Sequence, residues 1–167
     1  MSGSEPVWRP AYVGLGSNLD GPSQQIETAF ELLNAIPKTR LITRSTLYRS
    51  APFGGIEQPD FINAAAALLT RLTAQKLLDE LQQIERNRGR EPGGVRWGPR
   101  VLDLDLLVYS HSVITTPDLT VPHPGIAERN FVLLPLCDLA PDLDVPGLGR
   151  IDKISVNEQQ PRITRIA

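Results

Sequence analysis

Cysteine is almost missing from this sequence: Cys137 stands alone in 167 residues. An intramolecular disulfide is therefore excluded, and a reducing, cytoplasmic setting is the simpler expectation. Cys137 ends the apolar run Val132-Leu133-Leu134-Pro135-Leu136-Cys137, where a small buried hydrophobe is expected rather than a nucleophile. Histidine is as scarce. With only His111 and His123 present, a histidine-rich metal centre is excluded. No apolar run approaches the ~20 residues of a membrane-spanning helix, and no secretory h-region opens the chain, so no membrane association is expected. A net charge of -2 argues against a dedicated nucleic-acid binder, which would carry an excess of cations. Lysine is also rare, three residues against fourteen arginines. Base composition could produce that bias; so could a need for planar, bidentate phosphate contacts.

What is present suits one soluble globular domain. A 41% hydrophobic content over this length can bury a core without disulfide or metal staples. Residues 1–10 read as a short tail and residues 11–167 as a single domain, for which a monomer is the working expectation. Ala11 to Leu15 predicts a buried strand, and Gly14-Leu15-Gly16-Ser17-Asn18 a tight strand-to-helix turn. Pro22 suits the first turn of a helix in which Ile26, Ala29, Phe30 and Leu33 recur at helical spacing, and Pro37 stops it. Arg40 to Arg49 predicts a strand, Ala51 to Asp60 a Gly/Pro loop, and Phe61 to Thr70 another strand despite four consecutive alanines. Leu77, Leu78, Leu81 and Ile84 mark a second amphipathic helix closed by Gly89. A second Gly/Pro loop, Arg90 to Pro99, leads to a strand over Val101 to Tyr109. The order β-α-β-β-α-β is that of a ferredoxin-like α+β sandwich. A helical stretch over Ile126 to Leu139 and a loop-rich tail follow as extra elements.

The strand Val101-Leu102-Asp103-Leu104-Asp105-Leu106-Leu107-Val108 carries the chemistry. Its period of two sets Leu102, Leu104, Leu106 and Val108 on one face and both aspartates on the other, their Cα atoms roughly 6.5 Å apart. Two like charges on an otherwise apolar strand repel, and a nearby cation must offset that cost. A hard divalent ion does so well, since Mg²⁺ is commonly held by one or two carboxylates plus substrate phosphates. The plainer alternative is a solvated face paired with arginines. Arg86, Arg88, Arg90, Arg96 and Arg100 lie within fifteen residues just before this strand, and arginine forks bind and neutralise transferring phosphates. Carboxylates beside arginines point to metal-assisted phosphoryl transfer. The loop motif of P-loop enzymes is absent, and Leu19 replaces the third glycine of a dinucleotide fingerprint after Gly14 and Gly16. His123, between Pro122 and Pro124, sits in a stiff loop where it could meet a phosphate or make a structural hydrogen bond.

Taken together, the segment Arg96-Trp97-Gly98-Pro99-Arg100-Val101-Leu102-Asp103-Leu104-Asp105 resembles the signature of the 6-hydroxymethyl-7,8-dihydropterin pyrophosphokinase family. Matching motifs occur in the family's order: Gly14 to Asn18, Tyr48-Arg49-Ser50, Gln58 to Ala64, Val121 to Pro124, Arg129-Asn130-Phe131, then Pro135-Leu136 and Ala140-Pro141. They span roughly residues 11 to 147. The resemblance implies transfer of a pyrophosphoryl group from the co-substrate ATP to the hydroxymethyl oxygen of the dihydropterin, leaving AMP. It further implies two Mg²⁺ ions on Asp103 and Asp105, with Arg90 and Arg100 on the transferring group. Gln82, Glu85, Arg96, Leu106, Thr120, His123 and Arg129 would line the nucleotide site. Phe61 and Phe131 would sandwich the pterin, with Asn63, Ser50 and Phe53 at its polar edge and Trp97 on a loop closing over it. Two positions depart from the pattern, Pro92 in that loop and Asp118 near the nucleotide. Two other readings compete: a cyclase-like two-metal nucleotidyl enzyme, and a non-catalytic small-molecule binding module. Neither accounts for Phe61, Asn63 and Phe131 together with the paired aspartates.

Overall fold

The computed structural model describes residues 7–52, 55–89, 98–159 and 161–166. Its first half alternates strand and helix: β1 (Arg9–Ser17), α1 (Pro22–Asn34), β2 (Thr39–Arg44), β3 (Tyr48–Ser50), β4 (Phe61–Thr70), α2 (Ala74–Asn87) and β5 (Asp103–Tyr109). Then come β6 (Ile114–Thr115), β7 (Thr120–Val121), α3 (Asn130–Leu139), β8 (Asp144–Val145), β9 (Gly149–Arg150) and β10 (Ile163–Arg165). The main sheet runs β10-β3-β4-β1-β5, with β2 also on β4, and its pairs are antiparallel. This is the ferredoxin-like α+β sandwich expected from the element order, with added elements after β5.

Helices α1 and α2 cover one face. Ile26, Ala29, Phe30 and Leu33 of α1 and Leu77, Leu81 and Ile84 of α2 pack on Ala11, Val13, Leu15, Ile62, Leu68, Leu104 and Leu106. Pro22 opens α1 after Gly21, whose φ of 75° puts it in the left-handed region that glycine tolerates best. Thr73 caps α2 by accepting from the Lys76 N–H at 3.2 Å. On the opposite face α3 contributes Val132, Leu133 and Leu136 to a second cluster with Leu107, Val108, Ile126, Val145 and Ile151. The four alanines of β4 serve both faces. Ala64 and Ala66 join the cluster under α1 and α2, while the pleat turns Ala65 and Ala67 to the α3 side, where short side chains admit the helix closely.

Several sequence expectations give way. The single strand Arg40 to Arg49 is two strands, both on β4. At the break the Ser45 N–H donates to the Ala65 carbonyl (2.9 Å) and its hydroxyl accepts from the Ala65 N–H (2.8 Å), so a side chain completes the ladder. Gly14 and Gly16 lie inside β1 rather than in a turn; the turn begins only after Ser17. Strand β1 also starts at Arg9, because Arg9 and Pro10 pair with Thr70 and Leu69 and so belong to the sheet, not the tail. Val108 does not share the face of Leu104 and Leu106. Pairing jumps from Tyr12↔Val108 to Val13↔Leu106, so Leu107 is an extra residue, a bulge that moves Val108 under α3. The last helix begins at Asn130, not Ile126, since residues 126–129 form turns on the Gly125 carbonyl. The tail expected to be loop holds the β8–β9 hairpin and β10, a strand of the main sheet.

Ala65 is 1% exposed, so Ala65→Leu should overpack the sheet–α3 contact and cost about 1–3 kcal/mol. A denaturant midpoint equal to that of the wild type would show that α3 does not need the small side chain.

Candidate active site

The floor of the site is bare backbone. Gly14 pairs with Asp105 on one side and Ala65 on the other; Gly16 pairs with Asp103 and Asn63. All point away from α1 and α2, because alternate residues of these strands fill the helix-side core. A Cβ on Gly14 would come within 3.4 Å of the bulged Leu107 side chain, and one on Gly16 within 3.6 Å of the Asn63 amide oxygen. Side chains at these places would fill the cleft. Its volume is about 270 Å³.

Two chemically different walls rise from this floor. On the β5 side stand Asp103, Asp105, Arg100, His123 and Arg129; on the β4 side stand Asn63, Phe61, Ser50 and, from α3, Phe131. With strands ~4.8 Å apart, the residues flanking Gly16 sit roughly 10 Å from each other, room for a small flat molecule beside a phosphate. Asn63 is 4% exposed and its amide donates to the Ser50 hydroxyl at 2.8 Å, which fixes which way its polar edge faces.

Burial, then the charge of Arg129, push the His123 imidazole below the usual histidine range, with Asp103 acting the other way. Its Nδ1 accepts from the Gly125 N–H at 3.0 Å, so the neutral ring carries its proton on Nε2. The ring's loop is seated on the bulge, the His123 N–H donating to the Leu107 carbonyl at 2.8 Å. The Val121-Pro122 peptide in this loop is cis. Arg129 lies over Gly125, where a Cβ would meet the guanidinium at 2.9 Å.

Asn18, only 2% exposed, binds two segments at the rim. Its amide donates to Gln58 Oε1 and the Pro59 carbonyl, both at 2.9 Å, and its oxygen accepts from the Arg100 N–H at 2.8 Å. The Asn18 N–H also donates to the Arg100 carbonyl at 3.0 Å.

Nine of the residues singled out from sequence thus converge: Ser50, Phe61, Asn63, Arg100, Asp103, Asp105, His123, Arg129 and Phe131. Four others stand apart from the cleft lining. Gln82 and Thr120 are exposed, Leu106 is buried in the helix-side core, and Glu85 of α2 is buried with Oε2 accepting from the Leu104 N–H at 2.8 Å. Phe53, Arg90, Arg96 and Trp97, with Pro92, lie outside the described residues. Sequence reasoning placed the floor glycines and Asn18 in a tight turn and assigned no role to Gly125. Two glycines spaced by two within a strand were the available signal for the floor, since such spacing bares one face.

Fold and site together define an α+β domain with a carboxylate- and arginine-lined cleft beside an aromatic, amide-edged slot. The family model described as 7,8-dihydro-6-hydroxymethylpterin-pyrophosphokinase (HPPK) matches residues 12–141, and the chain belongs to that family. It is 50% identical over 135 residues to the 2-amino-4-hydroxy-6-hydroxymethyldihydropteridine pyrophosphokinase of Pseudomonas aeruginosa, covering 81% of this chain and 83% of that one. To the Haemophilus influenzae protein of the same name it is 45% identical over 136 residues, covering 81% and 84%. A crystal structure of a Plasmodium falciparum HPPK-DHPS variant with SDX-DHP superposes with a TM-score of 0.73 at 16% identity, over 90% of this chain. The match spans 45% of that longer chain and speaks to the fold.

Asn18→Ala removes three side-chain hydrogen bonds and should cost about 2–3 kcal/mol. Unfolding curves that superimpose on the wild type would remove its role as the rim's anchor. For His123, an NMR titration of the ligand-free protein should give a pKa below the ordinary value of about 6.5, with Nδ1 unprotonated. Because the folded-state pKa is depressed, its contribution to stability is complete above that ordinary value and is lost as pH falls through the folded one. Protonation at or above about 6.5 would contradict the burial argument.

Proposed function

We propose that this chain transfers the pyrophosphoryl group of ATP to the hydroxymethyl oxygen of 6-hydroxymethyl-7,8-dihydropterin, releasing AMP, a step of folate biosynthesis. One observation carries the reading: in a chain of this family, the paired aspartates and the Asn63–Ser50 edge flank the same bare strand on the same face. The hydroxymethyl oxygen forms a bond to the β-phosphorus, the bond from that phosphorus to the oxygen bridging the α-phosphate breaks, and the hydroxyl proton is released.

Phe61 and Phe131 supply apolar faces for the bicycle, and Asn63 reads its hydrogen-bonding edge in the orientation Ser50 imposes. Arg100 and Arg129 attract the polyphosphate, and neutral His123 offers its Nε2–H to a phosphate oxygen without adding charge. Arg90, Arg96, Trp97 and Phe53 complete the proposed contacts by the family's pattern; Gln82 and Thr120 are proposed contacts beyond the cleft lining, and Glu85 and Leu106 support β5 from the helix side. The chain's contribution is positioning: holding acceptor and donor in line in one cleft.

Among the described residues no group of three or more His, Cys, Asp or Glu side chains gathers as a metal cage. The donor set in the cleft is two carboxylates, and this suits Mg²⁺, which is bound through one or two carboxylates with phosphate oxygens and waters completing its shell. Asp103 and Asp105 would hold two such ions. When bound they would neutralise phosphate charge and orient the reacting groups. Among the described residues no helix is long and apolar enough to cross a membrane. We further infer one domain from residue 9 onward, acting as a monomer in the cytoplasm, where lone Cys137 stays reduced.

Purified protein given ATP, Mg²⁺ and the hydroxymethyl-dihydropterin should release AMP and the pterin diphosphate. Release of ADP or cyclic AMP instead would overturn the assignment. Asp103→Ala and Asp105→Ala should each fold and lose at least about 3 kcal/mol of transition-state stabilisation, over a hundredfold in kcat. Wild-type turnover in either would remove the metal role.

A further inference from the structure

Strand β10 lies beyond the family-matched span of residues 12–141, yet it meets the slot from behind on two sides. Against the sheet it pairs with β3, setting Ile163 opposite Ser50, Thr164 opposite Arg49 and Arg165 opposite Tyr48. The Ala51 N–H donates to the Arg162 carbonyl at 2.9 Å. Strand β3 is only three residues long, and β10 supplies the partner on its second side. Against α3 the same segment is held by Asn130. That carboxamide is 4% exposed and donates to the carbonyls of both Asn157 and Pro161 at 2.6 Å. Its own oxygen has no partner among the described residues, so the side chain is turned to suit its donors. At the other end of α3, Asp138 accepts from Arg165 at 2.6 Å and from the Thr46 hydroxyl at 2.7 Å. Arg165 reaches the Tyr48 hydroxyl as well, at 3.0 Å.

The tied residues adjoin the slot directly. Ser50 and Ala51 line it from the end of β3, and Phe131 and Val132, next to Asn130, line it from α3. The paired aspartates stand on β5, across β1 from β4 and β3. We infer that Asn130 is a positioning residue for the flat acceptor, acting through the segment 157–166, which fixes the spacing between Ser50 and Phe131. This rests on the acceptor reading above for the identity of the ligand, but the mechanical coupling stands on geometry alone. A structural tie of ordinary kind would affect both substrates alike. This one acts chiefly on the acceptor side of the cleft, because the aspartates are carried by β5, with which the segment does not pair.

The test uses the full chain. In Asn130→Ala the dissociation constant for the hydroxymethyl-dihydropterin, read by fluorescence, should rise about tenfold, while that for a non-hydrolysable ATP analogue with Mg²⁺ changes less than about twofold. Asn130→Asp, which turns a carboxylate oxygen on two carbonyls, should be worse. Hydrogen exchange in Asn130→Ala should quicken at residues 48–52 as well as 129–133, although the substitution touches only the latter. Arg165→Ala is the control against misfolding, its side chain being 59% exposed; about a threefold loss of pterin affinity is expected there. Equal weakening of both ligands, or unchanged exchange at 48–52, overturns the proposal. If the wild type binds no pterin, the acceptor reading fails, and exchange at 48–52 still decides whether the segment couples β3 to α3.

Discussion

The site depends on the central strand having both edges paired and one face empty. Strand β1 lies between β4 and β5, so its backbone groups are committed to ladders on both sides. Gly14 and Gly16 then leave a strip of sheet with no side chains where a ligand can lie against backbone. Everything chemical is set by register to that strip. Asp105 and Asp103 stand opposite the two glycines on one side, and Ala65 and Asn63 on the other. A one-residue slip of either neighbour would turn its functional residues into the helix-side core.

The extra residue in β5 belongs to the same design. Leu107 bulges toward the space Gly14 leaves, and its carbonyl receives the N–H of His123. The bulge thus ends the face carrying the aspartates and seats the loop that brings the imidazole to them. Burial and Arg129 keep that imidazole neutral, so it can donate a proton-bearing nitrogen without competing with the arginines for charge. Asn18 joins the end of β1 to the Gln58–Pro59 loop and to Arg100, so the rim is organised from the same strand as the floor.

The cleft is divided by that strand. Carboxylates, arginines and His123 gather toward β5; the aromatic and amide groups gather toward β4 and α3. The aspartates are carried by β5 and the amide edge by β4 and β3, so a tie between β3 and α3 through Asn130 and β10 can bear on one half more than the other. Alanines at 65 and 67 let α3 approach closely enough to bring Phe131 and Val132 to the slot.

Much was legible from sequence because it depends on short-range rules. Helical spacing at Ile26 to Leu33 and Leu77 to Ile84, the period of two at Asp103 and Asp105, and turn-forming Gly and Pro gave the element order and hence the sandwich. The motif register named nine residues that meet in the cleft. What sequence could not supply was decided by pairing between distant strands. The bulge at Leu107, the break at Ser45 and the place of β10 beside β3 each answer a hydrogen-bonding demand from a neighbour far along the chain. Gly14 and Gly16 read as a turn because local propensity treats glycine as a turn former. Only the packed sheet, with Leu107 and Asn63 above the two glycines, makes their missing side chains into the floor of a site.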